Sequence, residues 1–297
     1  MDPKTLLLSA LVLITIGYHA FWYTSVRRRQ ELLGPATPTP VGTAVGFIAN
    51  FFDTLGIGSY ATSTAMLKLW KVVPDEKIPG TLNVGYVLPT VVQTLIYVTI
   101  VEVEFTTLAA IIAAAVVGAY LGAGVVARLP RRGIQLGMGT ALIAAATLMT
   151  LSTLGMGPAP GVALGVSGLK LGIAVGCSMV FGALMMLGIG FYAPCLIMIS
   201  LLGMDPKASY PIMMGACAFL MPTGSIQFVR ENKYDLRTAV SFMIGGPGAV
   251  LIAAFIVKSL PLEIVRRLVV LVVLYTAFSL LRSAAVERRA AASGAQR

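Results

Sequence analysis

The chain has 297 residues, 57% of them hydrophobic and only 11% charged, with a mean hydropathy of +0.88. Soluble domains carry about 25% charged residues, so a soluble globular fold is excluded. A membrane β-barrel is excluded as well, because its strands would alternate apolar and polar residues in segments of about ten. The net charge of +10 would suit nucleic acid if the basic residues formed one polar face, but they sit between apolar runs, so no nucleic-acid partner is expected.

The first apolar run, residues 5–23, carries its positive charges mostly behind it, at Arg27, Arg28 and Arg29. A signal peptide is charged in front. The positive-inside rule makes residues 1–30 an anchor with its N-terminus outside and Arg27 in the cytoplasm. His19, beside Phe21, Trp22 and Tyr23, reads as an interfacial residue rather than a ligand. A linker with Pro35, Pro38 and Pro40 follows. Further spans are predicted over about residues 80–100, 105–128, 133–155, 208–229, 238–258 and 263–282, seven in all with the first.

Two apolar stretches remain, about residues 41–70 and 163–203, and the same break interrupts each: Leu55-Gly56-Ile57-Gly58 and Leu187-Gly188-Ile189-Gly190. Glycine pairs unwind helices. Charge decides whether these stretches cross the membrane or turn back. If both turn back, 16 of the 22 Lys and Arg lie in cytoplasmic segments, and the outside keeps Lys4, Lys170, Lys207, Lys258, Arg266 and Arg267. If the first crossed fully, Arg128, Arg131 and Arg132 would lie outside, against the rule. Both are therefore read as re-entrant helical hairpins, the first inserted from the cytoplasm and the second from outside.

Sliding the sequence along itself until Leu55 meets Leu187 aligns Leu55-Gly56-Ile57-Gly58-Ser59-Tyr60-Ala61 with Leu187-Gly188-Ile189-Gly190-Phe191-Tyr192-Ala193, six of seven positions matching. Without a gap, Pro74 then meets Pro206 and Pro79 meets Pro211. The chain divides into the anchor, a first repeat (41–156), a second repeat (163–284) and a cytoplasmic tail (285–297). One hairpin plus three spans is an odd number of crossings, so the second repeat is inverted. The fold class is an all-α polytopic membrane protein with about seven transmembrane helices and two re-entrant broken hairpins in an inverted-topology repeat. Such repeats are a transporter architecture, with substrate near the midplane between broken helices. A duplicated scaffold without transport is the alternative.

Gly-Ile-Gly in a broken hairpin, a proline-bounded turn and a second copy half a chain later resemble the TauE/SafE sulfite-exporter family, also called the toluene sulfonate uptake permease family, over about residues 41–282. In the family's usual pattern more glycines follow Gly-Ile-Gly, and a Gly-Thr-Ser follows the next proline. Here the breaks continue with Ser59-Tyr60 and Phe191-Tyr192, and Pro79-Gly80-Thr81-Leu82 keeps part of the later motif. The resemblance implies export or uptake of sulfite or small organosulfonates across the cell (inner) membrane.

The residue types at the breaks point to an anion on their own. A half-helix beginning at Gly58 or Gly190 aims its first N–H groups and positive dipole end at the break, and Pro194 falls in a first turn, where its missing N–H does no harm. Each helix end offers about 0.3 to 1 kcal/mol, or about 2 when partly buried, whereas desolvating an anion costs several kcal/mol. Side-chain donors must add to them: Ser59, Tyr60, Thr62 and Ser63 in the first hairpin, Tyr192 and the weaker Cys195 in the second, with Gly56, Gly188 and Phe191 completing the candidate set. For the two tyrosines and Cys195, ordinary packing is the other reading. Asn83, Tyr86, Thr90, Gln93 and Tyr97 form one polar helix face, read either as a permeation lining or as interhelical hydrogen bonding. Gln93 and Gln227 are the expected second-helix ligands.

Asp53 is the carboxylate at membrane depth, with Met185 as its repeat counterpart. A fixed negative charge repels an anion, so Asp53 is protonated, paired or bound to a coupling proton or cation, or it holds the unwound backbone; it is the coupling candidate. Lys170 either attracts anions in an outer vestibule or snorkels to headgroups. Cys177, Cys195 and Cys217 lack metal or disulfide spacing. No catalytic residue, metal or cofactor is expected. The expected partners are a small anion, the lipid bilayer, a coupling proton or cation, and a second copy in a homo-oligomer. A passive anion channel, or a carrier of another carboxylate or inorganic anion, is the alternative.

Overall fold

The computed structural model describes residues 2–29, 33–56, 58–126 and 161–259, together with isolated helical positions between 136 and 147 and between 271 and 286. Most of the expected spans 133–155 and 263–282 lies outside the described residues, as do Ile57, Arg128, Arg131, Arg132, Arg266, Arg267, the side chain of Lys258 and the end of the tail.

Every regular element among the described residues is a helix: α1 (Pro3–Arg28), α2 (Pro40–Thr54), α3 (Ser59–Leu69), α4 (Ile78–Gly85), α5 (Val87–Ile100), α6 (Phe105–Val126), α7 (Gly168–Met185), α8 (Tyr192–Leu201), α9 (Ser209–Arg230) and α10 (Leu236–Ser259). Short 3-10 turns at Asp75–Lys77 and Pro206–Ala208 precede α4 and α9. Among the described residues four helices are long and apolar enough to cross a membrane, α1, α7, α9 and α10, and α4 with α5 makes a fifth if that bent pair is one span. Helices α2 and α3, with 15 and 11 residues, extend about 22 and 16 Å at 1.5 Å per residue. Neither reaches across a hydrocarbon core of about 30 Å.

The span expected at 80–100 is not straight. It bends by 40° between α4 and α5 at Tyr86. Pro89 is the cause: it has no N–H to offer the Gly85 carbonyl one turn earlier, and its ring crowds that carbonyl.

The order of elements recurs. A helix, a glycine break, a short helix, a 3-10 turn and two further helical spans appear twice, and with Leu55 set on Leu187 each of these starts close to its counterpart. Packing repeats as well. Helix α2 of the first half lies along α10 of the second, α7 of the second lies along α6 of the first, and α9 fills the centre against α5 and α6. Both lateral pairs use small residues to bring backbones together. A Cβ on Gly46 would sit 2.8 Å from the Phe242 Cα, while one on Gly118 or Gly182 would run into the Met179 or Ala115 carbonyl. Gly118→Val is thus expected to cost about 1–3 kcal/mol by overpacking, whereas Gly172→Ala, with open space around it, should leave the melting temperature in detergent where it was. Equal melting of the two would disprove the close α6–α7 contact.

Polar contacts tie each broken segment to one end of the molecule. Thr39 N–H donates to Ser241 Oγ (2.9 Å), Arg237 Nε to Thr37 O (3.2 Å), Asp235 N–H to Thr81 Oγ1 (2.8 Å), and an Arg29 guanidinium N–H to Arg230 O (2.7 Å). The second segment is tied elsewhere, through Glu104 N–H to Leu164 O (2.9 Å) and Asp205 N–H to Ala163 O (2.9 Å). There Glu104 caps α6, and the Thr107 hydroxyl, then the Thr106 and Thr107 N–H groups, hold its carboxyl below the usual carboxylate range.

Candidate functional site

The first break follows from two glycines. Gly56 and Gly58 have φ of +94° and +83°, which turn the chain after α2 so that α3 starts at Ser59 beside the end of the helix it left. Helix α2 ends with carbonyls that no further turn can satisfy. Two phenols satisfy them: Tyr97 donates to Thr54 O and Tyr210 to Leu55 O, each at 3.1 Å, with their rings stacked 5.2 Å apart. One tyrosine comes from each half of the chain.

Asp53 is 3% exposed and takes the other side of the break. Its Oδ1 accepts the Ser59 N–H, the first donor of α3, and its Oδ2 accepts Gln93 Nε2 at 2.9 Å. Gln93 Nε2 also donates to Thr54 Oγ1 (2.9 Å), and Gln93 Oε1 accepts the Tyr192 hydroxyl (2.9 Å). An unbroken hydrogen-bonded path therefore runs from α8 through α5 to α2 and α3.

The second break turns at Gly188 (φ +84°), and α8 starts at Tyr192 with Phe191 in the capping position. The two breaks face each other reciprocally: a Cβ on Gly58 would lie 3.8 Å from the Tyr192 Cβ, and one on Gly190 would lie 3.7 Å from the Tyr60 Cβ. Between them is a cavity of about 20 Å³ lined by Asp53, Gly58, Ser59, Tyr60, Gly190 and Tyr192, with Phe191 beside them. That is room for one water molecule.

Residues 2–149 match the family model described as Sulfite exporter TauE/SafE. The chain belongs to this family. TauE/SafE proteins are membrane transporters, so this chain is a multi-pass membrane protein whose family implies an exporter of sulfite or a related anion. Comparison with curated proteins and with solved structures gave no significant match.

The matched TauE/SafE segment includes the whole first break with Asp53, Gly56, Gly58, Ser59, Tyr60 and Gln93, while the second break reaches the site through the internal repeat. Not every expected residue comes to the cavity. Thr62 is half-buried on α3 away from it, and buried Cys195 does not line it. Asn83 spends its amide on Pro79 O at 2.9 Å. Gln227 is exposed and donates to Glu231 Oε1 at 3.0 Å, so it is no site residue in this structure. The strict counterpart of Gln93 is Ser225, and a two-residue slip turns a side chain about 200° around a helix. Lys170 is exposed and donates to Leu202 O (2.9 Å) at the end of α8, rather than facing the cavity. The polar face divides its work: Tyr86 pairs with Ser63 and Tyr97 with Thr54, whereas Thr90 lines the cavity.

Met185, Cys217 and Met221 also line the cavity, and sequence reasoning did not include them, because such side chains look like ordinary core filling. The one available signal was register, since Met185 stands opposite Asp53 when the two halves are aligned. His19 contacts Thr15 O through Nδ1 (2.8 Å) and lies edge-on to Tyr18 and Trp22. Among the described residues no group of three or more His, Cys, Asp or Glu is arranged to hold a metal.

Proposed function

We propose that the chain is a secondary transporter of small sulfur-containing anions, sulfite or organosulfonates, that works by alternating access with the anion between the two half-helix N-termini. The observation that carries this reading is the reciprocal fit of the breaks, Gly58 against Tyr192 and Gly190 against Tyr60, around one cavity. Positive helix ends meeting near the midplane suit an anion. A cavity with room for one water favours a carrier, which opens to one side at a time, over a channel with a standing water path.

The frame is an inverted repeat of two re-entrant hairpins within seven spans. Its support is the recurring element order, the exchanged helix pairs, and the tying of each hairpin's two ends to one end of the molecule. In the cell membrane the N-terminus lies outside and the C-terminal tail in the cytoplasm, because the end that gathers Arg27, Arg28, Arg29, Arg230, Lys233 and Arg237 is the basic one. In whole cells an impermeant thiol reagent should label Lys170→Cys and spare Arg237→Cys. The opposite pattern would reverse the orientation.

Asp53 is the coupling residue in this reading. An anion and an ionised carboxylate in one small cavity repel each other, so the anion travels with a proton or cation that Asp53 shares. The titratable side chains around that cavity are Tyr60, Tyr192 and Cys217, and no Lys, Arg or His lines it among the described residues. Asp53→Asn should therefore retain sulfite counterflow while losing uptake driven by a pH or cation gradient. Gradient-driven uptake at the parental rate would refute the coupling role. The transport reading itself is tested with purified protein in liposomes. Saturable counterflow of sulfite or methanesulfonate is expected, anion conductance without counterflow would mean a channel, and transport only of carboxylates would mean another substrate class.

A further inference from the structure

We propose that the anion binds one-sidedly, on the start of α8, and that Asp53 keeps the start of α3 closed to it. This rests on the transport reading above and names the half of the site that takes the substrate. The two half-helices match in register and face each other, but their ends are finished differently. At α3 the Ser59 N–H already donates to Asp53 Oδ1, so the chain's own carboxylate sits where an anion would otherwise lie. At the matched place in the second half stands Met185, which lines the same cavity and has no comparable acceptor. Phe191 makes no side-chain cap, and the first-turn N–H groups of Tyr192 and Ala193 have no acceptor among the described residues; those of Tyr60 and Ala61 on α3 have none either, but they follow a Ser59 N–H already held by the Asp53 carboxylate.

A second observation points to a ligand at that end. The Tyr60 hydroxyl has no hydrogen-bond partner among the described residues, although Tyr60 is 4% exposed and lines the cavity with its Cβ against Gly190. Buried side-chain donors without a partner are rare. Here one stands across the cavity from an open helix end. The three-oxygen head of sulfite or a sulfonate can accept from the helix end through one oxygen and from Tyr60 through another. The Cys217 thiol, on the same wall, already donates to the Met185 sulfur at 3.6 Å and is free for the anion only once that contact opens. The space between the breaks is smaller than such an anion, so binding must part Tyr60 from Gly190. The occupied site thereby differs in shape from the empty one.

The test is calorimetric binding of sulfite and of methanesulfonate to the full-length protein in detergent micelles. Met185→Asp reproduces at α8 the carboxylate that closes α3, and it should weaken binding at least a hundredfold. Met185→Asn has the same shape without the charge and should lose far less. Tyr60→Phe should lose about tenfold or more, and Asp53→Asn should bind more tightly than the parent. Parental affinity in a folded Met185→Asp, or lost affinity in Asp53→Asn, would put the anion on α3 and overturn the one-sided site while leaving the transport reading intact. If Met185→Asp does not fold, Tyr60→Phe decides: unchanged affinity overturns the proposal. A parent that neither binds nor exchanges either anion would remove the transport reading, and this site with it.

Discussion

Gln93→Ala should lower stability by about 3 kcal/mol, far more than the roughly 0.6 kcal/mol of an average interhelical hydrogen bond in a membrane. Gln93 is fully buried and makes three contacts to two other helices, to Asp53 and Thr54 on α2 and to Tyr192 on α8. Alanine would leave Asp53 Oδ2 without its donor and the Tyr192 hydroxyl without its acceptor. Orphaned buried groups cost about 1–3 kcal/mol each, more when charged, and hydrocarbon offers no water to replace the amide. Gln227→Ala touches only an exposed contact to Glu231 and should stay within about 0.5 kcal/mol. Thermal melts of both variants in one detergent check this, and similar melting temperatures would deny Gln93 its central place.

Gly190→Leu should abolish counterflow in a protein that still folds. A Cβ on Gly190 would meet the Tyr60 Cβ at 3.7 Å, an ordinary contact, and the backbone there needs no left-handed φ. Alanine therefore fits and leaves a slower carrier. The further carbons of leucine have only the cavity of about 20 Å³ to occupy, the space the anion needs. Gly58 behaves differently: at φ +83° any side chain is strained, at a cost of about 1–3 kcal/mol, so even Gly58→Ala should fold poorly. Initial counterflow rates in liposomes, with folding checked by size-exclusion profile, separate the three. Counterflow by Gly190→Leu at the rate of the alanine variant would move the substrate path elsewhere.

Much of this site was legible because helix breaks announce themselves. Leu55-Gly56-Ile57-Gly58 and its copy at Leu187 locate the two turns, and register alone pairs Tyr60 with Tyr192. The regular spacing from Asn83 to Tyr97 marked a face that the structure turns to the first hairpin. What stayed hidden depends on angle and distance. Pro89 carried the signal for the bend at Tyr86, but hydropathy alone reads straight through it. Gln227 repeats the residue type of Gln93 and misses its direction by two positions. The bond from Ser59 N–H to Asp53 spans six residues and exists only because two glycines fold the chain back on itself. Met185, Cys217 and Met221 carry no polar pattern, so only coordinates reveal that they wall the cavity.

The stacked pair Tyr97 and Tyr210 grips only the first break. Their counterparts in the repeat register are Val229 and Ile78, which have no hydroxyl to offer, and at the second break a Cβ placed on Gly188 would meet the Pro79 ring at 3.5 Å where one on Gly56 would meet Tyr210. Two identical halves trading shapes would give mirror-related states of equal energy, each half flexing as far as the other. Here one elbow is bolted to two other helices, while its twin is closed by its own backbone, Leu187 and Ile189 N–H donating to Leu184 O and Gly188 N–H to Met185 O. On the alternating-access reading, most of the travel falls to the break without outside ties, and the bolted one serves as its fulcrum.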